Sequence, residues 1–125
     1  MSARERADKD SERFDEWIRH ANESGEEPAI PAATVVGLRD TDDGMQTLML
    51  KKNSKIAFGG MWVFPGGKID ANDYDETGDL VAAARRAAVR ETHEEAQLDV
   101  DAESLVMIAH WIPPSIAPKR FATWF

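Results

Sequence analysis

Six consecutive residues, Arg90-Glu91-Thr92-His93-Glu94-Glu95, carry the chemistry this chain can be expected to perform. On a helix, Glu91, Glu94 and Glu95 take positions i, i+3 and i+4, so three carboxylates crowd one face. Like charges that close repel, and helix stability alone disfavours the arrangement. A divalent cation turns the repulsion into attraction. Clustered hard oxygen ligands suit Mg²⁺ or Mn²⁺, ions that commonly act on phosphate oxygens. The competing reading is a solvated acidic helix end, natural in a chain whose formal net charge is −8. Upstream lies Phe64-Pro65-Gly66-Gly67. Glycines at 59, 60, 66 and 67 permit close backbone approach and unusual φ values, and a loop of that kind can turn a main-chain carbonyl toward a metal.

The elements that must position these groups follow from periodicity and turn chemistry. Phe14, Trp17, Ile18 and Ala21 fall at helical spacing and predict a short amphipathic helix over residues 12–21, with Ser11 as its N-cap, inside a charged N-terminal arm (residues 1–29). Residues 32–39 read as a strand, Asp40-Thr41-Asp42-Asp43-Gly44 as a turn, and residues 46–51 as a second strand, together a hairpin. Trp62-Val63-Phe64 reads as a third strand, halted by Pro65 and two glycines. Residues 70–78 are a polar loop. Asp79 caps an alanine-rich helix from Leu80 to about Ala96, which carries the three glutamates. Residues 105–112 are apolar enough for a buried strand, Pro113-Pro114 breaks it, and residues 120–125 begin another.

Composition bounds the function. A chain of 125 residues, 42% hydrophobic and 30% charged, makes one modest core. No run of 18 apolar residues provides a membrane span, and the charged N-terminus is no secretory signal. With no cysteine there is neither a disulfide framework nor a thiolate site, which is compatible with a cytoplasmic location. The acidic balance argues against bulk nucleic-acid binding. An acidic protein acting on anionic phosphates needs a cation as intermediary.

These residues resemble the Nudix hydrolases, whose signature is a glycine, then a glutamate, then R-E-U-x-E-E-x-G-U with U bulky and apolar. Residues 90–98 match its second half, and Gly67 within Pro65-Gly66-Gly67-Lys68-Ile69 matches its opening glycine. The resemblance implies an α/β (α+β) fold, an α/β/α sandwich with a mixed sheet, over residues 30–125. It implies a Mg²⁺- or Mn²⁺-dependent pyrophosphohydrolase that cleaves a nucleoside diphosphate linked to another moiety. Carried over position by position, Glu91, Glu94 and Glu95 hold metal, the Gly67 carbonyl is a further ligand, and Arg90 orients the carboxylates. Glu91 could instead serve as the base.

Three departures stand out. Gly67 precedes Arg90 by 23 positions, against about 14 in the usual signature, so residues 70–78 read as an insertion. Counted back from Arg90, the first glutamate falls on Ala82, with Asp73, Asp75, Glu76 and Asp79 as candidate replacements. The glycine after the double glutamate is Gln97, which must end the helix at a cost of about 1 kcal/mol relative to glycine. The long insertion and the stretch from Asn53 to Trp62 resemble a branch that includes coenzyme A diphosphatases. Only part of a coenzyme A motif is present, and Ile56 stands at its upstream arginine position.

Of the remaining residues, Trp62 and Trp111 read as core or sheet-edge packing before nucleobase stacking. Lys51, Lys52 and Lys55, and Lys119 with Arg120, could meet an anionic substrate. His93 reads as a surface residue. The sequence ends at Trp124-Phe125 within an expected strand, so the domain looks incomplete at its C-terminus, and a homodimer partner could cover the apolar surface left behind. The rival function is a Nudix-derived module that binds a nucleotide without cleaving it.

Overall fold

A computed structural model describes residues 1–53 and 60–125. Gly59, Lys55 and Ile56 therefore lie outside the described residues. The chain divides into two units, Met1–Ile30 with Ile112–Ala122, and Pro31–Trp111 with Thr123–Phe125.

In the first unit, helix α1 runs over Ala3–Ser24, twelve residues longer than expected, and starts from Ser2 rather than Ser11. Ser2 and Glu5 form a reciprocal capping box: the Glu5 N–H donates to Ser2 Oγ at 3.2 Å, and the Ser2 N–H to Glu5 Oε2 at 2.6 Å. Apolar spacing located the stripe, but the charged residues before it are good helix formers with no glycine or proline among them. The helix ends at Gly25, whose φ of 79° suits a residue without Cβ. Phe14 and Trp17 pack together at 5.7 Å on an otherwise exposed stripe. Arg120 donates to the main-chain oxygens of Glu27 and Pro113, so its guanidinium is engaged in holding this unit together.

The second unit is built on a four-stranded sheet. Its strands are β1 (Ile30–Thr34, in this unit from Pro31), β6 (Gly66–Lys68), β7 (His110–Trp111) and β8 (Phe121–Trp124, in this unit from Thr123), in the order β6-β1-β8-β7. The expected first strand divides in two. Residues 30–34 join the sheet, and β2 (Leu38–Thr41) pairs instead with β3 (Gly44–Thr47) across the anticipated turn. A further pair joins β4 (Leu50–Lys51) to β5 (Trp62–Val63).

Two expectations fail. The third strand does stop before Pro65, as expected, but the glycines that follow are not a loop: Gly66–Lys68 is strand β6, antiparallel to β1, with Gly67 opposite Ala33. Nor are residues 105–112 a buried strand. Only His110–Trp111 is strand, while Val106 is 80% and Ile108 68% exposed. Hydropathy named a residue that wants cover, and nothing among the described residues of this unit supplies it.

Helix α2 (Leu80–Ala96) forms within one residue of expectation. Asp79 Oδ1 accepts from the Val81 and Ala82 N–H groups, filling two of the donors a helix start leaves open. Gln97 ends it, as expected, and does so in the left-handed region at φ 51°. The buried face is Ala83, Ala84, Ala87 and Ala88, packed with Ala33, Val35 and Ile69. Small side chains let the helix lie close to the sheet. That closeness brings its C-terminal carboxylates to β6.

Candidate active site

Arg90 is the organising residue. Its Nε and Nη2 donate to the two carboxylate oxygens of Asp73 at 3.1 and 2.8 Å, and Nη2 also reaches the Lys68 carbonyl at 3.1 Å. Nη1 donates to Glu91 Oε1 at 2.9 Å and to Glu94 Oε2 at 3.4 Å. All five N–H donors of the guanidinium are thereby used. Asp73 is only 4% exposed. The Arg90 hydrogen bonds hold its carboxyl below the ordinary aspartate range, and they outweigh burial, which acts the other way. Arg90 is in turn held more firmly protonated than usual, first by Asp73 and then by Glu91.

Of the four candidates for the place of Ala82, Asp73 is the one that Arg90 grips through both carboxylate oxygens. The signature's first acidic position lies about 8 residues before the arginine and so about 6 after the glycine; counted forward from Gly67, it falls on Asp73. The insertion therefore follows the acidic residue, and Ala82 sits on α2 just after its N-cap. Counting from both ends of the signature was the signal that could have found it. The three-residue 3₁₀ turn Ala71–Asp73 presents the side chain, and the Asp70 N–H donates to Asp73 Oδ2 at 2.7 Å.

Glu91 lies against β6 so closely that a Cβ added to Gly67 would stand 2.5 Å from its carboxyl carbon. Gly67 is thus required for close approach and not for a positive φ, which it does not have. Its neighbour Gly66 has a different reason: a Cβ there would stand 2.4 Å from the Ala33 oxygen and 2.7 Å from Thr34 Cα. Glu95 lies beside Glu91. Burial first, and the Glu91 charge second, push its carboxyl above the ordinary glutamate range, while the Gly66 N–H and Lys52 oppose the rise. The pair is a close set of hard oxygen donors with unfavourable mutual charge, and such a set fits a divalent cation.

The site residues are not all gathered. Glu91 and Glu95 come together at Gly66–Gly67, whereas Glu94 turns to Arg90, with its side chain 55% exposed. Among the described residues no three acidic or histidine side chains converge as a ready-made cage. The strand register bears on the expected main-chain ligand as well. Val35 N–H donates to Pro65 O and Ile69 N–H to Pro31 O, both at 2.9 Å, so Gly67 opposite Ala33 belongs to the same alternation and turns its peptide groups to β1. Gly66, one residue earlier, turns its own away and lays its N–H against Glu95.

Around the site, Lys52 stands near enough for its charge to act on Glu95, and Lys51 lies 5.9 Å over the Trp62 ring. Trp62 and Trp111 are 61% and 70% exposed, so of their reading as core or sheet-edge packing the core half fails, while both do lie on edge strands, β5 and β7. His93 is a surface residue, bonded through Nδ1 to Asp99 at 2.8 Å. No described helix is long and apolar enough to cross a membrane.

The family model for the NUDIX domain matches residues 28–125. Among solved structures, the fold is similar to a MutT/nudix family protein from Enterococcus faecalis, with a TM-score of 0.63 and 20% identity over 78% of this chain. The chain spans 35% of the length of that protein. No curated protein matches it. A family match over most of the sequence, on a fold that sets an R-E-x-x-E-E helix against a glycine strand, places this chain in the Nudix family.

Proposed function

We propose that the chain is a divalent-metal-dependent pyrophosphohydrolase acting on a nucleoside diphosphate linked to another moiety. The observation that carries this reading is the delivery of the Glu91 and Glu95 carboxyls, by α2, to the point where Gly67 has no side chain. Glu91, Glu94 and Glu95 would hold Mg²⁺ or Mn²⁺, and the main-chain ligand would be the carbonyl of Gly66 in place of Gly67. The bound metal supplies charge stabilisation on the diphosphate oxygens and acidifies a water. Arg90 fixes one Glu91 oxygen through its Nη1, leaving the other available as ligand or as base. Lys52 contributes positive charge where an anionic substrate must approach the acidic pair.

ADP-ribose, dinucleoside polyphosphates, nucleotide sugars and coenzyme A all satisfy this chemistry. A panel of these compounds, assayed with Mg²⁺ and with Mn²⁺, tests the reading with Glu94→Gln as control. Turnover of at least one compound by the wild type, lost in the variant, is expected. Equal turnover by both proteins would remove the site from the chemistry. A binding module without hydrolysis has one observation in its favour, the turn of Glu94 away from the Glu91–Glu95 pair. Saturable nucleotide binding with no product would establish that alternative.

A further inference from the structure

The insertion between Asp73 and α2 has no counterpart in the usual signature, and a free loop there would release Asp73 from Arg90. The structure holds it by a second guanidinium. Arg86 stands one turn before Arg90 on α2, and its Nη1 donates to the main-chain oxygen of Asp73 at 2.8 Å. Its Nη2 donates to Asp75 Oδ2 at 2.6 Å. Two arginines at i and i+4 thus grip the same residue, one by its carboxylate and one by its carbonyl. The rest of the insertion closes on itself: Thr77 donates to Asp75, Gly78 N–H donates to Asp75 O at 3.1 Å, and Asp79 N–H donates to Thr77 Oγ1 at 3.2 Å. Gly78, at φ 66°, makes the turn into the N-cap of α2.

We propose that Arg86 and Asp75 are positioning residues for the metal site, holding the inserted loop so that Asp73 locks Arg90 and Arg90 in turn orients Glu91. An exposed ion pair contributes little to stability as such, and the side chains of Arg86 and Asp75 are 42% and 41% exposed. The pair acts through geometry. A partner bonded directly to the ligands, as Arg90 is to Glu91, sets metal affinity by about 10–100-fold. Arg86 and Asp75 act on that partner through Asp73, with a smaller effect. The proposal rests on the metal-dependent reading above.

The test compares wild type, Arg86→Gln, Arg86→Lys and Asp75→Ala by two readouts: Mn²⁺ affinity from electron paramagnetic resonance, and hydrogen exchange at the Arg90 Nε–H from NMR. Arg86→Gln should weaken Mn²⁺ binding by about threefold to tenfold, at or below the low end for a group bonded directly to a ligand, and accelerate Arg90 Nε–H exchange, with the melting temperature little changed. Arg86→Lys should recover part of both effects, and Asp75→Ala should show them in weaker form. Should Arg86→Gln fail to fold, Asp75→Ala, altered at a half-exposed side chain, decides the matter alone. Unchanged Mn²⁺ affinity and unchanged exchange in a folded variant would overturn the proposal, as would a loss of stability with both readouts intact. If the wild type binds no Mn²⁺, the functional reading fails, and the Arg90 exchange still reports whether the loop holds that residue.

Discussion

Helix α2 fastens a segment on each flank with arginine, and the two segments end in opposite conditions. On one flank Arg86 and Arg90 hold the polar stretch around Asp70, Asp73 and Asp75, and Asp73 is buried. On the other, Arg85 Nη1 donates to the main-chain oxygens of Ala102 and Leu105, and the apolar residues that follow stand in the open, Val106 80% and Ile108 68% exposed. They border a hollow of about 310 Å³ lined also by Val35, Ala84 and Trp124. On these two flanks side-chain polarity is thus a poor guide to burial. A carboxylate goes inside when a fork of charged donors meets it, and an apolar run stays outside when no surface is supplied to cover it.

The largest expected effect breaks the first flank. Asp73→Ala removes the most buried of Arg90's partners, leaving Glu91, Glu94 and Asp70, and the loss of its charged hydrogen bonds should cost about 2–3 kcal/mol in denaturant unfolding. The same pair has a pH signature. Asp73 titrates lower in the folded protein than in an unfolded chain, so its contribution is complete above about pH 4 and disappears as pH falls through the lowered folded value. Wild type should show that acid-side loss, and Asp73→Ala should lack it.

The adjacent glycines sharpen the comparison by separating stability from function. Gly66→Ala forces a Cβ into the backbone of β1 and should cost about 1–3 kcal/mol. Gly67→Ala meets the carboxyl end of the Glu91 side chain and not backbone, so it should cost less stability than Gly66→Ala while Mn²⁺ affinity falls. Equal stability losses at the two positions would show that both glycines serve strand packing alone.

A smaller gain is expected at Thr92, fully buried with an Oγ1 that has no hydrogen-bond partner among the described residues. The family signature has an apolar residue at this position, and Thr92→Val should stabilise by about 1 kcal/mol. On the other flank, Ile108→Ser removes an exposed side chain and should shift stability by less than about 0.5 kcal/mol. A large loss there would mean that the segment is covered in solution.

Local signals made α2 legible: Asp79 as cap, the alanine face, and Gln97 as its end all read directly from neighbouring residues. The β2–β3 hairpin was legible for the same reason, its turn residues lying between two short runs. Strand β6 was not, because Pro65 and two glycines have loop chemistry and only the ladder to β1 makes them a strand. Arg90, Glu91 and the paired glycines were visible as a set, though not the strand those glycines form. The clasp on Asp73 was not, since it depends on where an insertion falls, and that is fixed by contacts across the fold. The reading of residues 105–112 failed because hydropathy measures a preference for cover and not its presence.

The central claim is that Glu91 and Glu95, set against the glycine strand, form a divalent-cation site. A Mn²⁺ titration followed by electron paramagnetic resonance, on wild type and on the Glu91→Gln/Glu95→Gln double variant, tests it most directly. The account predicts saturable binding by the wild type that the folded double variant loses. Equal Mn²⁺ affinity in the two proteins would contradict it.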